Sequence, residues 1–246
     1  MLDLCIVDLF EEDSVEIKLL QKAFYDAPFS HGKMIINTTK GSFLDQEFDI
    51  KNNLEMEKDS VEPGHKYFQH YRKNSYYGKC FDIVKPAIDT NYDLRSHTMF
   101  NRHTEFIFSK YLTGGYYHKH VDSQKMDGIR TDYSATLFIN DPSEYEGGEL
   151  CLDIGTHEIE YKLNPGKLLI YPTGISHRVN TVSSGERHVC VTWFESALQD
   201  IRMRKIYKDI DVMINKYLSE PNAAELISKS GFELQHHIMR HFSNYI

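Results

Sequence analysis

Tyr133-Ser-Ala-Thr-Leu-Phe-Ile139, Lys167-Leu-Leu-Ile-Tyr171 and Arg187-His-Val-Cys-Val-Thr-Trp-Phe194 are short runs rich in β-branched and aromatic residues. Gly155, Asn164-Pro165-Gly166, Pro172-Thr-Gly174 and Ser183-Ser-Gly185 punctuate this half of the chain. Glycine and proline end strands because they take turn conformations that a ladder cannot use. Working outward, Phe106, Phe108 and the segment through Tyr111 follow the same pattern, as do 149–152, 157–162 and 179–183. Many short strands at this spacing indicate a sandwich, a jelly roll or a barrel. The absence of strand–helix alternation from 104 to 196 argues against a doubly wound or TIM-type sheet. The expected fold is mainly β with flanking helices.

Helical periodicity occupies the flanks. Asp13 or Ser14 can cap a helix that places Ile17, Leu20 and Phe24 on one face and ends near Tyr25. The stretch 28–56 reads as loops and short strands. Pro63-Gly64 then breaks the chain, and Tyr67, Phe68 and Tyr71 predict a second helix ending before Gly78. Past Glu195, Leu198, Ile201, Ile206, Ile210, Met213 and Tyr217 predict an apolar stripe ended by Pro221, and a last helix spans 232–242 after Gly231. Arg202, Arg204, Lys205 and Lys208 read as a solvated face. The chain thus divides into N-terminal helices and short strands packing on the barrel (1–103), a β core (104–196) and C-terminal helices (197–246).

At 246 residues, with 41% hydrophobic and 26% charged residues, the chain can build a core without disulfide or metal staples. Lys+Arg 28 against Asp+Glu 36 gives a net charge of −8, which disfavours general nucleic-acid binding. Cys5, Cys80, Cys151 and Cys190 are scattered, so neither a zinc knuckle nor a disulfide framework is indicated. No apolar stretch approaches the roughly 20 residues of a membrane span, and the start lacks a basic region before an apolar one. A cytoplasmic protein is expected.

Gly-x-Gly-x-x-Gly, Walker A, Gly-x-Ser-x-Gly and His-Glu-x-x-His patterns are all missing, which leaves histidine and carboxylate chemistry. The leading candidate is His120-Val-Asp122. On a strand, residues i and i+2 face the same way, so imidazole and carboxylate can converge on one ion. Two histidines and a carboxylate on one face of an octahedron leave positions open, the arrangement of non-haem Fe(II) oxygenases. His177, where a strand begins after a Pro/Gly turn, is the candidate third ligand. With 13 histidines in the chain, His-x-carboxylate pairs also arise by chance, and His103-Thr-Glu105 is one. His118 should share a strand face with His120, as a residue at the cavity mouth or as part of a His-rich zinc site. Arg187 starts a strand whose Val189, Val191 and Trp193 alternate toward the core. A guanidinium aimed into an apolar barrel needs a carboxylate partner, which a dicarboxylic cosubstrate would present bidentately; an exposed strand-edge arginine is the alternative.

Four segments stand out together: Tyr111-x8-His120-x-Asp122, Arg130-Thr-Asp-Tyr-Ser-Ala-Thr-Leu-Phe-Ile-Asn-Asp-Pro-Ser-Glu-Tyr-Glu-Gly-Gly-Glu149, Tyr171-Pro-x4-His177-Arg-Val and Gly185-x-Arg187. Taken together they resemble the PKHD-type hydroxylases, Fe(II)- and 2-oxoglutarate-dependent dioxygenases related to prolyl 4-hydroxylases. Lys51-Asn-Asn-Leu54 is similar to a short segment that the family carries before its barrel. The resemblance runs from about residue 3 to residue 220.

The resemblance implies a double-stranded β-helix, a jelly-roll core with Fe2+ held by His120, Asp122 and His177. It further implies that Arg187 anchors the far carboxylate of 2-oxoglutarate, that Tyr111 hydrogen-bonds the same group, and that Tyr117 contacts substrate. The implied reaction hydroxylates a C–H bond using O2, with release of succinate and CO2, and L-ascorbate would keep the iron reduced. The substrate would be a prolyl residue in a peptide or protein, or a small molecule; neither nucleic acid nor membrane is an expected partner. Two departures narrow the class. Collagen-type prolyl hydroxylases usually have a lysine where this chain has Arg187, and nucleic-acid demethylases carry a second arginine where it has Trp193. The competing readings are a non-enzymatic jelly-roll protein binding a metal or small ligand, and a zinc-bound β domain using His118, His120 and His177.

Overall fold

The structure, a computed structural model, describes residues 3–32, 50–58, 75–217 and 224–243. The N-terminal part contains β1 (Cys5–Asp8), α1 (Val15–Asp26), β2 (Phe29–His31), β3 (Lys51–Asn52), β4 (Leu54–Met56), α2 (Tyr76–Thr90) and α3 (Tyr92–Thr98). Next come β5 (Phe100–His103), β6 (Ile107–Tyr111), β7 (Tyr116–His120), β8 (Lys125–Met126), β9 (Ile129–Arg130) and β10 (Tyr133–Phe138). The core continues with β11 (Tyr145–Gly147), β12 (Leu150–Asp153), β13 (Glu158–Tyr161), β14 (Lys167–Pro172), β15 (His177–Val179), β16 (Val182–Gly185) and β17 (Arg187–Ser196). A 3-10 turn spans Pro142–Glu144, and helices α4 (Ile201–Tyr217) and α5 (Ala224–Phe242) complete the described elements.

Two sheets face each other. One has the order β1-β14-β10-β17-β6-β4-β2, with β5 on β17, and the other has the order β13-β12-β15-β7-β3. Within them, β6-β17-β10-β14 lies opposite β7-β15-β12-β13, and the chain crosses repeatedly from one set to the other. That winding makes a double-stranded β-helix, the jelly roll.

The larger sheet is buried on both faces. Tyr111, Phe138, Leu169, Tyr171 and Val189 fill the barrel with residues of the facing sheet. On the outer face, Phe108, Leu137, Ile170, Cys190 and Phe194 pack with the apolar sides of α1, α2 and α3. Double burial explains why 133–139, 167–171 and 187–194 read as nearly continuous apolar runs. Helix α1 starts at Ser14, whose Oγ accepts from Ile17 N at 3.2 Å. It buries Ile17, Leu20, Ala23 and Phe24, and the Phe24 ring stacks on His188 of β17 at 4.8 Å.

Residues 51–56 seal one side of the barrel. Lys51 pairs with Tyr117 in one sheet and Glu55 pairs with Ser109 in the other, so a single extended segment adds a strand to each.

Several expectations are corrected. The strand expected at 179–183 is two strands, β15 and β16, because the chain leaves the smaller sheet after Val179 to pair with β11. Helix α2 begins at Tyr76 and contains Gly78, where a helix end was expected; Tyr67, Phe68 and Tyr71 lie outside the described residues. The last helix begins at Ala224, before Gly231. A Cβ on Gly231 would lie 2.6 Å from Ile214 Cγ1, so glycine permits close packing of α5 on α4. The buried side of α4 carries Met203, Tyr207, Ile210 and Ile214, whereas Ile201, Ile206 and Met213 are exposed. Charge sets this phase. Arg204 is buried and reaches Asp132 at 3.2 Å, and Lys208 Nζ donates to Asp3 at 2.8 Å, so these two cations dock the helix. Among the described residues, no helix is long and apolar enough to cross a membrane.

Candidate active site

Strand β7 departs from regular alternation where the site is built. His120 lies opposite His177 and Tyr117 opposite Val179, so three steps on β7 match two on β15. This β-bulge re-aims side chains. It turns both Tyr117 and His120 into the barrel, with their rings stacked at 3.7 Å. The expectation that His118 shares a face with His120 is overturned: His118 is exposed and packs on Tyr116 instead.

The two inward histidines share one tautomer. The Nδ1 of His120 lies 2.7 Å from the His118 carbonyl and that of His177 lies 2.9 Å from the Ile175 carbonyl. A carbonyl only accepts, so each Nδ1 carries the proton and each Nε2 presents its lone pair. His120 Nε2 is buried and makes no hydrogen bond. Asp122 lies beyond the end of β7, so strand alternation does not place it; side chains do. Trp193 Nε1 donates to its Oδ2 at 2.8 Å and Ser134 Oγ does so at 2.7 Å. One potential ligand atom from each of His120, Asp122 and His177 lies within 4.8 Å of the others. Burial pushes the Asp122 carboxyl up, but the hydrogen bonds it accepts, those of Trp193 and Ser134 among them, hold its pKa below the usual value. An anionic carboxylate and two Nε2 lone pairs, one of them buried without a partner, fit a divalent metal with open positions.

Arg187 lies six residues before Trp193 on the same inward face of β17. It is buried between aromatic rings, its guanidinium carbon 5.1 Å from the Tyr111 centroid and 5.6 Å from that of Phe138. Its Nε makes no hydrogen bond, and among the described residues no carboxylate pairs with it. Burial pushes the Tyr111 phenol up, so it stays a neutral donor. Metal-type cluster, Arg187, Tyr111 and Tyr117 all line one cavity of about 290 Å³. An unpaired buried guanidinium is costly, and a carboxylate ligand is the partner that relieves the cost.

The pair His103 and Glu105 does not converge. His103 stacks on Phe106 at 5.0 Å, whereas Glu105 pairs with Lys58 at 2.6 Å. The sequence reading overlooked Ser134 and assigned no bond to Trp193. Ser134 and Thr136 are polar at alternate positions of an otherwise apolar run, and that was the available signal.

Residues 106–195 match the family model of the 2OG-Fe(II) oxygenase superfamily. A PKHD-type hydroxylase from Rippkaea orientalis is 35% identical over 203 residues, covering 81% of this chain and 82% of the relative. This chain belongs to the PKHD-type hydroxylases. Another member, from Prochlorococcus marinus, is 30% identical over 220 residues, 87% of this chain and 90% of its own. The Colwellia psychrerythraea hydroxylase reaches 44% identity over 135 residues, 52% of this chain and 60% of its own. A solved prolyl hydroxylase from Trichoplax adhaerens, in complex with a hypoxia inducible factor peptide fragment, superposes over 78% of this chain and 83% of its own, with a TM-score of 0.48 and 17% identity. As a PKHD-type hydroxylase, the chain is an Fe(II)- and 2-oxoglutarate-dependent oxygenase.

Proposed function

We propose that His120, Asp122 and His177 hold Fe(II), that Arg187 and Tyr111 hold the far carboxylate of 2-oxoglutarate, and that a prolyl residue of a peptide or protein is hydroxylated beside Tyr117. One observation carries this reading: a cluster of three ligand atoms and an unpaired buried arginine share one cavity. The iron, when bound with 2-oxoglutarate and O2, supplies oxidising power for an unactivated C–H bond, with succinate and CO2 as by-products. The protein supplies placement. The backbone carbonyls of His118 and Ile175 fix both imidazoles with Nε2 toward the cavity, and the Arg187 fork fixes one end of the cosubstrate.

Tyr117 and Trp193 give the cavity the flat apolar surfaces against which a pyrrolidine ring packs. L-Ascorbate fits the reading as a reductant that returns iron to the ferrous state. The test is succinate release with Fe(II), 2-oxoglutarate and air across proline-containing peptides and free amino acids, followed by mass spectrometry. The expected product is heavier by about 16 Da, one oxygen atom. Stimulation by free amino acids and by no peptide would overturn the prolyl assignment.

A further inference from the structure

Asp122 is the one member of the cluster outside a ladder, so its orientation depends on side-chain bonds. Both bonds fall on the same oxygen. Trp193 and Ser134 are directly paired residues of β17 and β10, and from adjacent strands they donate to Oδ2 at 2.8 and 2.7 Å. A carboxylate oxygen has two lone-pair sites in its plane, so two donors occupy Oδ2. Oδ1 receives neither bond and lies 3.4 Å from His120 Nε2; Oδ2 lies 3.6 Å from His177 Nε2, so both oxygens face the cluster and the two donors are what tell them apart.

We propose that Trp193 and Ser134 are positioning residues that clamp Oδ2 and so dedicate Oδ1 of Asp122 to the metal as a single-atom ligand. This rests on the assignment of Asp122 as a ligand. A carboxylate binding through one oxygen takes one coordination position, whereas rotation to chelate through both would take a second and remove a position that cosubstrate or O2 needs. The indole contributes a donor that cannot accept, so it cannot turn to compete for the ion. The serine hydroxyl is held in turn, 3.2 Å from Thr173 Oγ1.

Trp193 is the single tryptophan of the chain, so its emission reports on this one carboxylate. Metal binding at Oδ1 withdraws charge from Asp122 and changes the partner of the indole N–H. The wild-type emission should therefore shift on anaerobic titration with Mn(II), a redox-quiet substitute for Fe(II), and saturate at one ion per chain.

The deciding experiment measures Mn(II) affinity by calorimetry for the wild type, Trp193→Phe, Ser134→Ala and Asp122→Ala. Trp193→Phe keeps a ring and deletes the N–H; Ser134→Ala deletes the second donor with little change of volume. Each should lose about 10–100-fold in metal affinity, the usual effect of removing a bond that orients a ligand. The metal-free Ser134→Ala protein should still unfold in one cooperative transition, its midpoint lowered by only a few degrees, so that affinity is compared between folded proteins. Wild-type affinity in Ser134→Ala, or in a folded Trp193→Phe, overturns the clamp. If Asp122→Ala also binds Mn(II) like the wild type, the ligand assignment itself has failed, an outcome distinct from failure of the clamp alone.

Discussion

Arg187 and Tyr111 are directly opposite each other on β17 and β6, with the guanidinium carbon 5.1 Å from the phenol ring. The ladder brings a fixed cation and a neutral hydroxyl-bearing ring side by side inside the barrel. Truncating one partner of a buried charge pair costs about 2–5 kcal/mol. Arg187→Ala should therefore weaken 2-oxoglutarate binding by at least about 30-fold, read as the dissociation constant of the anaerobic Mn(II) protein. Arg187→Lys should fall between the two, since it keeps the charge and loses the fork. Unchanged affinity in the alanine variant would place the anchor elsewhere.

His177→Ala should abolish 2-oxoglutarate decarboxylation. The ring opposes His120 across the ladder and offers Nε2, and alanine has no donor to replace it. Succinate formation at the wild-type rate by this variant would refute the ligand assignment.

His97 gives the fold an acid-side limit. Burial, reinforced by Lys208 and opposed by Asp3, lowers its pKa from 6.5 to about 4. The unfolded chain therefore takes up a proton near pH 6.5 that the folded chain refuses until near pH 4. The stabilisation is complete above the unfolded value and is lost as pH falls through this window, amounting to about 2–3 kcal/mol. Urea unfolding from pH 7 to pH 4.5 should show that decline, and His97→Gln should flatten it.

Gly185 is confined to glycine by two independent constraints. Its φ is +76°, and an added Cβ would lie 2.2 Å from the Glu144 carbonyl oxygen. Left-handed backbone alone costs roughly 1–2 kcal/mol for other residues, and relief of the overlap must move β11. Gly185→Ala should lower stability by about 2–4 kcal/mol in chemical unfolding. A loss below 0.5 kcal/mol would show that the turn relaxes freely.

The β core was legible because its strands are short, apolar and sharply punctuated, and the helix at Ser14 because its cap and stripe agree. The exact phase of α4 was not. Its apolar residues surround the helix, and the choice of face is made by Asp3 and Asp132, which are remote in the chain and bind Lys208 and Arg204. The same limit applies within the site. The sequence shows that His120 and Asp122 are two residues apart, but not the bulge that turns His120 and Tyr117 together. Nor does it show that a tryptophan and a serine, 59 residues apart, meet on one carboxylate oxygen. Periodicity reports what a residue does within its own element, whereas these contacts are made between elements.

The segment shared by both sheets also governs passage. An extended residue spans at most about 3.3–3.6 Å, so the short run from Lys51 to Glu55 is a tether of fixed length between the two walls. Prying the walls apart on that side would break ladder bonds in both. Among the described residues, the exposed part of the cavity lining is at Val121 and Ser123, beside Asp122. The cavity is therefore most open to solvent beside Asp122, whereas Arg187 lies in its buried interior.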